Sequence, residues 1–190
     1  MRRDRAARIG MILILAAGPA ATAWGVPLTV EARAGLLSLN SGAARDVYGM
    51  GPAFGLDVTI PLWKQVGLWA GADYYRKKGR LTYTLEDTTL RVVPLFAGLK
   101  VQSTASRVKP YAALGAGLFA YKESNVIGSV SGSKIGFVAQ AGVLARIKGP
   151  VSVDIHARYT SVRVMAGEGT DAETIDLGGL QGGLGVAIRF

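Results

Sequence analysis

The sequence predicts an all-β protein, an eight-stranded antiparallel up-and-down transmembrane β-barrel. Three observations predict it. Apolar residues alternate with other residues at period two through eight segments. The face opposite the apolar stripe holds charges at mid-strand, an arrangement that suits lipid outside and a polar lumen inside. An export leader precedes the first segment.

The leader occupies residues 1–23, and the barrel is expected over residues 24–190. Arg2, Arg3, Arg5 and Arg8 stand against Asp4, the apolar run Ile9 to Ala17 follows, and Ala21-Thr22-Ala23 supplies the small residues of a cleavage site. That run is too short to span a bilayer, which takes about 20 apolar residues. Four of the 22 basic residues and one acid lie in this leader, so +3 of the formal charge of +9 belongs to it. The remaining excess is modest and scattered, and nucleic acid is not an expected partner.

Composition narrows the class further. Apolar residues make up 49% and charged residues 18%, which excludes intrinsic disorder. There is no Cys, so thiol chemistry, zinc ribbons and disulfides are excluded. A single histidine, His156, leaves little for a metal site, and no metal or cofactor is expected.

The segments follow in order. Leu28, Val30, Ala32, Ala34 and Leu36 interleave with Thr29, Glu31, Arg33 and Gly35. Phe54, Leu56, Val58 and Ile60 interleave with Ala53, Gly55, Asp57 and Thr59. Val66, Leu68, Ala70, Ala72 and Tyr74 interleave with Gly67, Trp69, Gly71 and Asp73. Residues 90–102 oppose Val93, Leu95, Ala97 and Leu99 to Phe96, Gly98 and Lys100. Residues 110–122 oppose Ala112, Leu114, Ala116 and Leu118 to Tyr111, Gly115, Gly117, Phe119 and Tyr121. Residues 134–147 oppose Ile135, Phe137, Ala139 and Val143 to Lys134, Gln140, Gly142 and Arg146. Val151, Val153, Ile155, Ala157 and Tyr159 interleave with Ser152, Asp154, His156 and Arg158. Leu180, Leu184, Val186, Ile188 and Phe190 close the chain against Gln181, Gly183, Gly185, Ala187 and Arg189.

Alternation alone also fits a soluble lipocalin-like barrel, with its apolar face inward. The length of the apolar bands and the export leader favour lipid. Each band covers about ten residues, the 9–11 a tilted strand needs to cross. Turning the faces over would put Arg33, Arg146 and Arg158 into hydrocarbon, at roughly 2–4 kcal/mol for each midplane Arg. Closure is required, because an open edge in lipid leaves backbone groups unpaired.

Four stretches carry a resemblance. Tyr74-Tyr-Arg-Lys-Lys-Gly79, Leu90-Arg-Val-Val-Pro-Leu-Phe-Ala-Gly-Leu-Lys100, Lys109-Pro-Tyr-Ala-Ala-Leu-Gly-Ala-Gly117 and the ending Asp176 to Phe190 resemble the bacterial outer-membrane β-barrel domain family, whose small members include adhesin-like barrels and the transmembrane domain of outer membrane protein A. The resemblance implies the outer membrane of a Gram-negative bacterium, with outer-membrane lipid and lipopolysaccharide as surroundings. It further implies an assembly signal at Leu184, Val186, Ile188 and Phe190 for the barrel-assembly machinery. No peptidoglycan-binding domain is expected after the barrel.

Short periplasmic turns are expected at Pro61–Gln65, Ser103–Arg107 and Lys148–Pro150, and outer loops at Asn40–Met50, Lys78–Thr89, Glu123–Ser133 and Ala166–Thr174, where an extracellular ligand would bind. Arg80 to Leu85 is expected to extend a hairpin above the membrane. Trp24 and Trp63 suit the periplasmic interface, and Tyr74 and Tyr159 the outer half.

Eight strands enclose a space that side chains fill. The inward set is Glu31, Arg33, Asp57, Asp73, Lys100, Gln140, Arg146, Asp154, His156, Arg158 and Arg189, read as an ion-pair network that plugs the lumen. Five basic groups against four acidic ones come close to the balance that buried pairing demands. A narrow conduit for small solutes is the alternative. His156 invites a lipid A-modifying enzyme, but it shares parity with Asp154 and Arg158 and faces away from the acyl chains, so no enzymatic activity is expected. Arg76, Lys77, Lys78 and Arg80 form a basic cluster suited to lipopolysaccharide phosphates by charge-assisted hydrogen bonds. The acidic loop Gly167 to Glu173 is read as solvated.

Overall fold

The computed structural model describes residues 27–80, 86–104, 107–126, 128–166 and 173–190. The leader, Trp24, most of Arg80–Leu85 and most of the acidic loop lie outside them. Eight strands close an antiparallel barrel: β1 (Thr29–Leu39), β2 (Met50–Trp63), β3 (Val66–Arg80), β4 (Asp87–Gln102), β5 (Val108–Ser124), β6 (Ser129–Lys148), β7 (Val151–Ser161) and β10 (Gly179–Arg189). Each pairs with its neighbour in the chain, and β1 pairs with β10 from Thr29↔Arg189 to Leu39↔Gly179. The ring leaves no strand edge in the hydrocarbon, where free N–H and C=O groups find no partner.

The polarity is that of a protein turned inside out. Asp57, Asp154 and Arg158 are 0% exposed, whereas Leu114 is 59% and Ile135 80% exposed. In water an exposed apolar belt of this extent is a liability; in acyl chains it is solvated.

Above the belt the structure adds what alternation did not predict. The outer connection Asn40–Met50 holds a short helix, α1 (Gly42–Tyr48). Ser41 caps its start by accepting from the Ala44 N–H, and Gly49, at φ 61°, ends it in the left-handed region. Ala44 and Tyr48 are buried over the outer mouth, against a cluster that includes Leu37, Leu39, Leu90 and Val162. Tyr48 donates to Glu123 Oε1 at 2.6 Å.

The expected loop Glu123–Ser133 is mostly strand. β5 and β6 stay paired to Ser124↔Ser129, leaving a turn in which the Gly128 N–H donates to Asn125 Oδ1. The serines of β6 read as loop, yet a hairpin that projects into water needs only its backbone paired. β3 and β4 likewise pair to Arg80↔Asp87. Beyond β7, two short strands β8 (Arg163–Ala166) and β9 (Glu173–Asp176) form a separate ribbon, so Ala166 and Glu173 belong to paired backbone.

On the side expected to face the periplasm, two turns are shorter than predicted, Lys64-Gln65 and Gly149-Pro150 with Gly149 at φ 56°, and the third, Ser103–Arg107, lies partly outside the described residues. Trp63 is exposed there.

Asp176 ties the outer ribbon to the barrel rim. It accepts from the Val162 and Gly178 N–H groups at 2.8 Å, from Ser161 Oγ at 2.9 Å and from Asn40 Nδ2 at 3.1 Å. Burial pushes its carboxyl upward, but the two amides, then Asn40 and Ser161, outweigh that and hold it below the ordinary 3.8. A depressed carboxyl stabilises fully above its unfolded value, and that contribution is lost as pH falls through the native one. We therefore expect the amide shifts of Val162 and Gly178 in a detergent-folded sample to titrate with a midpoint below that of an ordinary Asp carboxyl. Asp176→Asn should loosen the ribbon at neutral pH and flatten that response.

Candidate functional site: the charged lumen and the outer basic band

The lumen is built by the inward parity of all eight strands. β1 brings Glu31 and Arg33, β2 Asp57, β3 Trp69 and Asp73, and β4 Phe96 and Lys100. β5 adds Tyr111, β6 Gln140, and β7 Asp154, His156 and Arg158; all are buried. Asp57 is the hub. Its Oδ1 accepts from Arg33 Nη2, and its Oδ2 from Arg158 Nη2 at 2.9 Å and Trp69 Nε1 at 2.7 Å. Asp73 bridges the same two guanidiniums, bonding Arg158 Nη1 and lying 3.4 Å from Arg33 Nη2. Gln140 accepts from both through Oε1 and donates to the Tyr111 hydroxyl at 2.6 Å. The Arg158 guanidinium also stacks over Phe96, 4.3 Å from the ring centroid.

A second layer lies toward the periplasm. Lys100 Nζ is 3.4 Å from Glu31 Oε2 and 3.9 Å from the Tyr111 ring centroid, and His156 Nδ1 is 2.7 Å from Asp154 Oδ2. Glu31, Asp154 and His156 each bring a ligand atom within 4.8 Å of the others, a metal-like triad. The Lys100 ammonium and Arg33 Nε, 3.6 Å from Glu31 Oε1, already supply positive charge to it, and a divalent cation would meet their repulsion.

Arg146 and Arg189 depart from the expected network. Both are exposed, and among the described residues neither makes an ion pair; they line the periplasmic mouth. The buried set is thus three fixed cations, Arg33, Lys100 and Arg158, against four carboxylates, with His156 beside Asp154. Shared parity places a side chain on the lumen face, but depth along the axis decides whether it is buried.

Glycines make the room. Gly55 stands opposite Asp73 and Gly71 opposite Asp57 on the paired strands β2 and β3. A methyl on Gly55 would collide with Asp73 Oδ1. One on Gly71 would collide with Asp57 Oδ1, and would lie 2.7 Å from both the Leu56 carbonyl oxygen and Phe96 Cζ. Gly142 does the same for the Tyr111 hydroxyl. Asp57, Asp73 and Tyr111 thus each lie across a glycine of the next strand.

The predicted basic cluster divides by parity. Arg76, Lys78 and Arg80 are exposed on the outward face, while Lys77 is half-buried on the other, its Cδ 3.0 Å from where a Gly51 methyl would stand. Arg80 Nε lies 3.7 Å from Asp87, exposed. The registers add two residues that sequence reasoning missed. Arg76 stands directly opposite Arg91, and Arg91 directly opposite Lys122, so three cations cross β3, β4 and β5 in one row. The signal was present: each is the first charge met on the outward parity above Tyr74, Val93 and Ala120. The Arg91 guanidinium lies 5.1 Å from the Tyr74 ring centroid.

The residues named for assembly are all exposed, Leu184, Val186 and Ile188 on the outward face of β10 and Phe190 just beyond its end.

A family model for the outer membrane protein beta-barrel domain matches residues 9–190. No curated protein matches significantly in sequence. Among solved structures, OprG from Pseudomonas aeruginosa is 12% identical with a TM-score of 0.60, covering 87% of this chain and 96% of its own. Ail, the attachment invasion locus protein of Yersinia pestis, in complex with the heparin analogue sucrose octasulfate, is 18% identical with a TM-score of 0.56, covering 87% and 99%. Outer membrane protein W of Escherichia coli is 17% identical with a TM-score of 0.53, covering 87% and 98%. At these identities the likeness is one of fold.

Two substitutions test the lumen. Asp57→Ala removes the carboxylate that Arg33 and Arg158 share with Asp73 and leaves the Trp69 indole N–H without its acceptor, and should cost about 3–5 kcal/mol as a lowered urea midpoint of the vesicle-folded barrel. Gly71→Ala should cost about 1–3 kcal/mol by overpacking. Gly182→Ala, where a methyl meets nothing within 4 Å, should leave the midpoint unchanged.

Proposed function

This chain belongs to the outer membrane protein β-barrel domain family and resides in the outer membrane of a Gram-negative bacterium, and from that premise we propose a non-enzymatic barrel. Its lumen is closed by the ion-pair network, and its work is done at the outer surface. Residues 1–23 direct export and are removed, and the C-terminal strand engages the barrel-assembly machinery. The outer face holds lipopolysaccharide phosphates, and the loops meet an extracellular ligand.

The observation that carries this reading is the row Arg76–Arg91–Lys122. Like charges directly opposite on paired strands repel, and the only carboxylate paired with this band among the described residues is Asp87, on Arg80. The row stands immediately above the apolar belt, at headgroup level, where phosphates would turn repulsion into charge-assisted bonding. Ail was solved with a polysulfated sugar, which is the same class of ligand chemistry.

Two observations support the remaining parts. Trp69, Arg158, Tyr75, Lys100 and Phe119 are all under 2% exposed within the barrel, the condition of a filled interior rather than a wet bore. His156 is turned to Asp154 in the lumen, out of reach of an acyl chain.

Arg76→Gln/Arg91→Gln/Lys122→Gln should weaken binding of purified lipopolysaccharide by about tenfold or more, since one charge-assisted hydrogen bond is worth roughly 1.5–3 kcal/mol. Equal binding by the triple variant sinks the surface reading. The intact barrel should give no steady conductance in a planar bilayer and release no fatty acid from lipid A; a His156-dependent release would instead reveal an enzyme.

A further inference from the structure

The periplasmic end holds a second feature that the outer-surface reading does not use. A cavity of about 260 Å³ opens there, and its lining includes Lys64, Lys100, Lys109, Arg146 and Arg189, with no Asp or Glu. Lys100 is held by Glu31. Among the described residues the other four make no ion pair, and residues 1–26 and 105–106 offer only Asp4 as a further acid.

The register shows why these cations converge. Lys109 faces Leu144 across β5 and β6, with Arg146 the next inward residue of β6. Arg146 faces Ser152 across β6 and β7. Ser152 faces Ala187 across β7 and β10, with Arg189 the next inward residue of β10. Three cations thus stand on one arc of the rim. Above them Leu144 and Ala187, which pack with Tyr111 in a buried cluster, floor the cavity. A pocket that is open at one end, floored by apolar side chains and rimmed by uncompensated cations focuses positive potential.

We propose that this vestibule is a binding site for a small multiply charged oxyanion, a phosphate- or carboxylate-bearing solute reaching the barrel from the periplasm. Arg146 and Arg189 bind it through their guanidinium forks, which match the geometry of phosphate and carboxylate oxygens. Lys109 and Lys64 add point charges. The volume is below the 300–1,000 Å³ typical of drug-sized ligands, which limits the occupant to something of diphosphate or small polycarboxylate size. The inference is independent of the lipopolysaccharide reading, because the two basic groups lie at opposite ends of the barrel.

The test is calorimetric titration of pyrophosphate into the protein purified from outer membranes in a non-ionic detergent, at low salt, with citrate in parallel to tell a phosphate from a carboxylate source. Binding of either, weakened about tenfold or more by Arg146→Gln/Arg189→Gln and unchanged by Arg76→Gln/Arg91→Gln/Lys122→Gln, supports the proposal. Both arginines are exposed, so the double variant folds, and its electrophoretic shift on heating confirms that. No binding by the unaltered protein, equal binding by the double variant, or loss in the outer triple variant overturns it.

Discussion

Hydrocarbon accepts no hydrogen bonds, and every other feature of this barrel follows from that. Backbone groups must be satisfied within the protein, so the sheet closes, with β1 on β10. Charges cannot face outward at mid-depth, so they face inward, where there is no bulk water either. An isolated buried ion is too costly to keep. The inward charges therefore meet each other, and Asp57 between Arg33, Arg158 and Trp69 is the result. The network is the price of polarity inversion rather than an ornament of it.

Packing around that network depends on absence as much as presence. Guanidiniums, an indole and phenol rings occupy a space that eight strands barely enclose. Gly55, Gly71 and Gly142 give the adjoining carboxylates and the Tyr111 hydroxyl their positions. A high glycine content is thus tied to a lumen of large polar side chains, each laid across the neighbouring strand.

The two ends face different solvents and are built differently. At the outer end α1, the β8–β9 ribbon and Asp176 cover the mouth with mutually satisfied contacts, among them Tyr48 with Glu123. Outside that cover, the row Arg76–Arg91–Lys122 stands without acids between its members. At the periplasmic end the mouth is open, and its rim cations Lys64, Lys109, Arg146 and Arg189 again lack carboxylates among the described residues. Charge is compensated where it is buried and left free where an external anion can reach it.

The sequence by itself determined which face each residue takes, because a strand's alternation is local and lipid imposes it on every outward position. Glu31, Arg33, Asp57, Asp73, Lys100, Asp154, His156 and Arg158 could be placed inside from parity alone, and the apolar belt outside. Parity carries no depth. Arg146 and Arg189 share the inward face but stand at the rim, and Lys77 parts from Arg76 and Lys78 by one residue. Polar serines of β6 concealed a hairpin because extension above the membrane needs only backbone pairing. Depth and partnership come from the stagger between strands, a property of the closed ring. Only the tertiary structure therefore decided that Asp57 joins Arg33 to Arg158, that Arg91 and Lys122 complete the outer row, and that Lys109, Arg146 and Arg189 meet around one cavity.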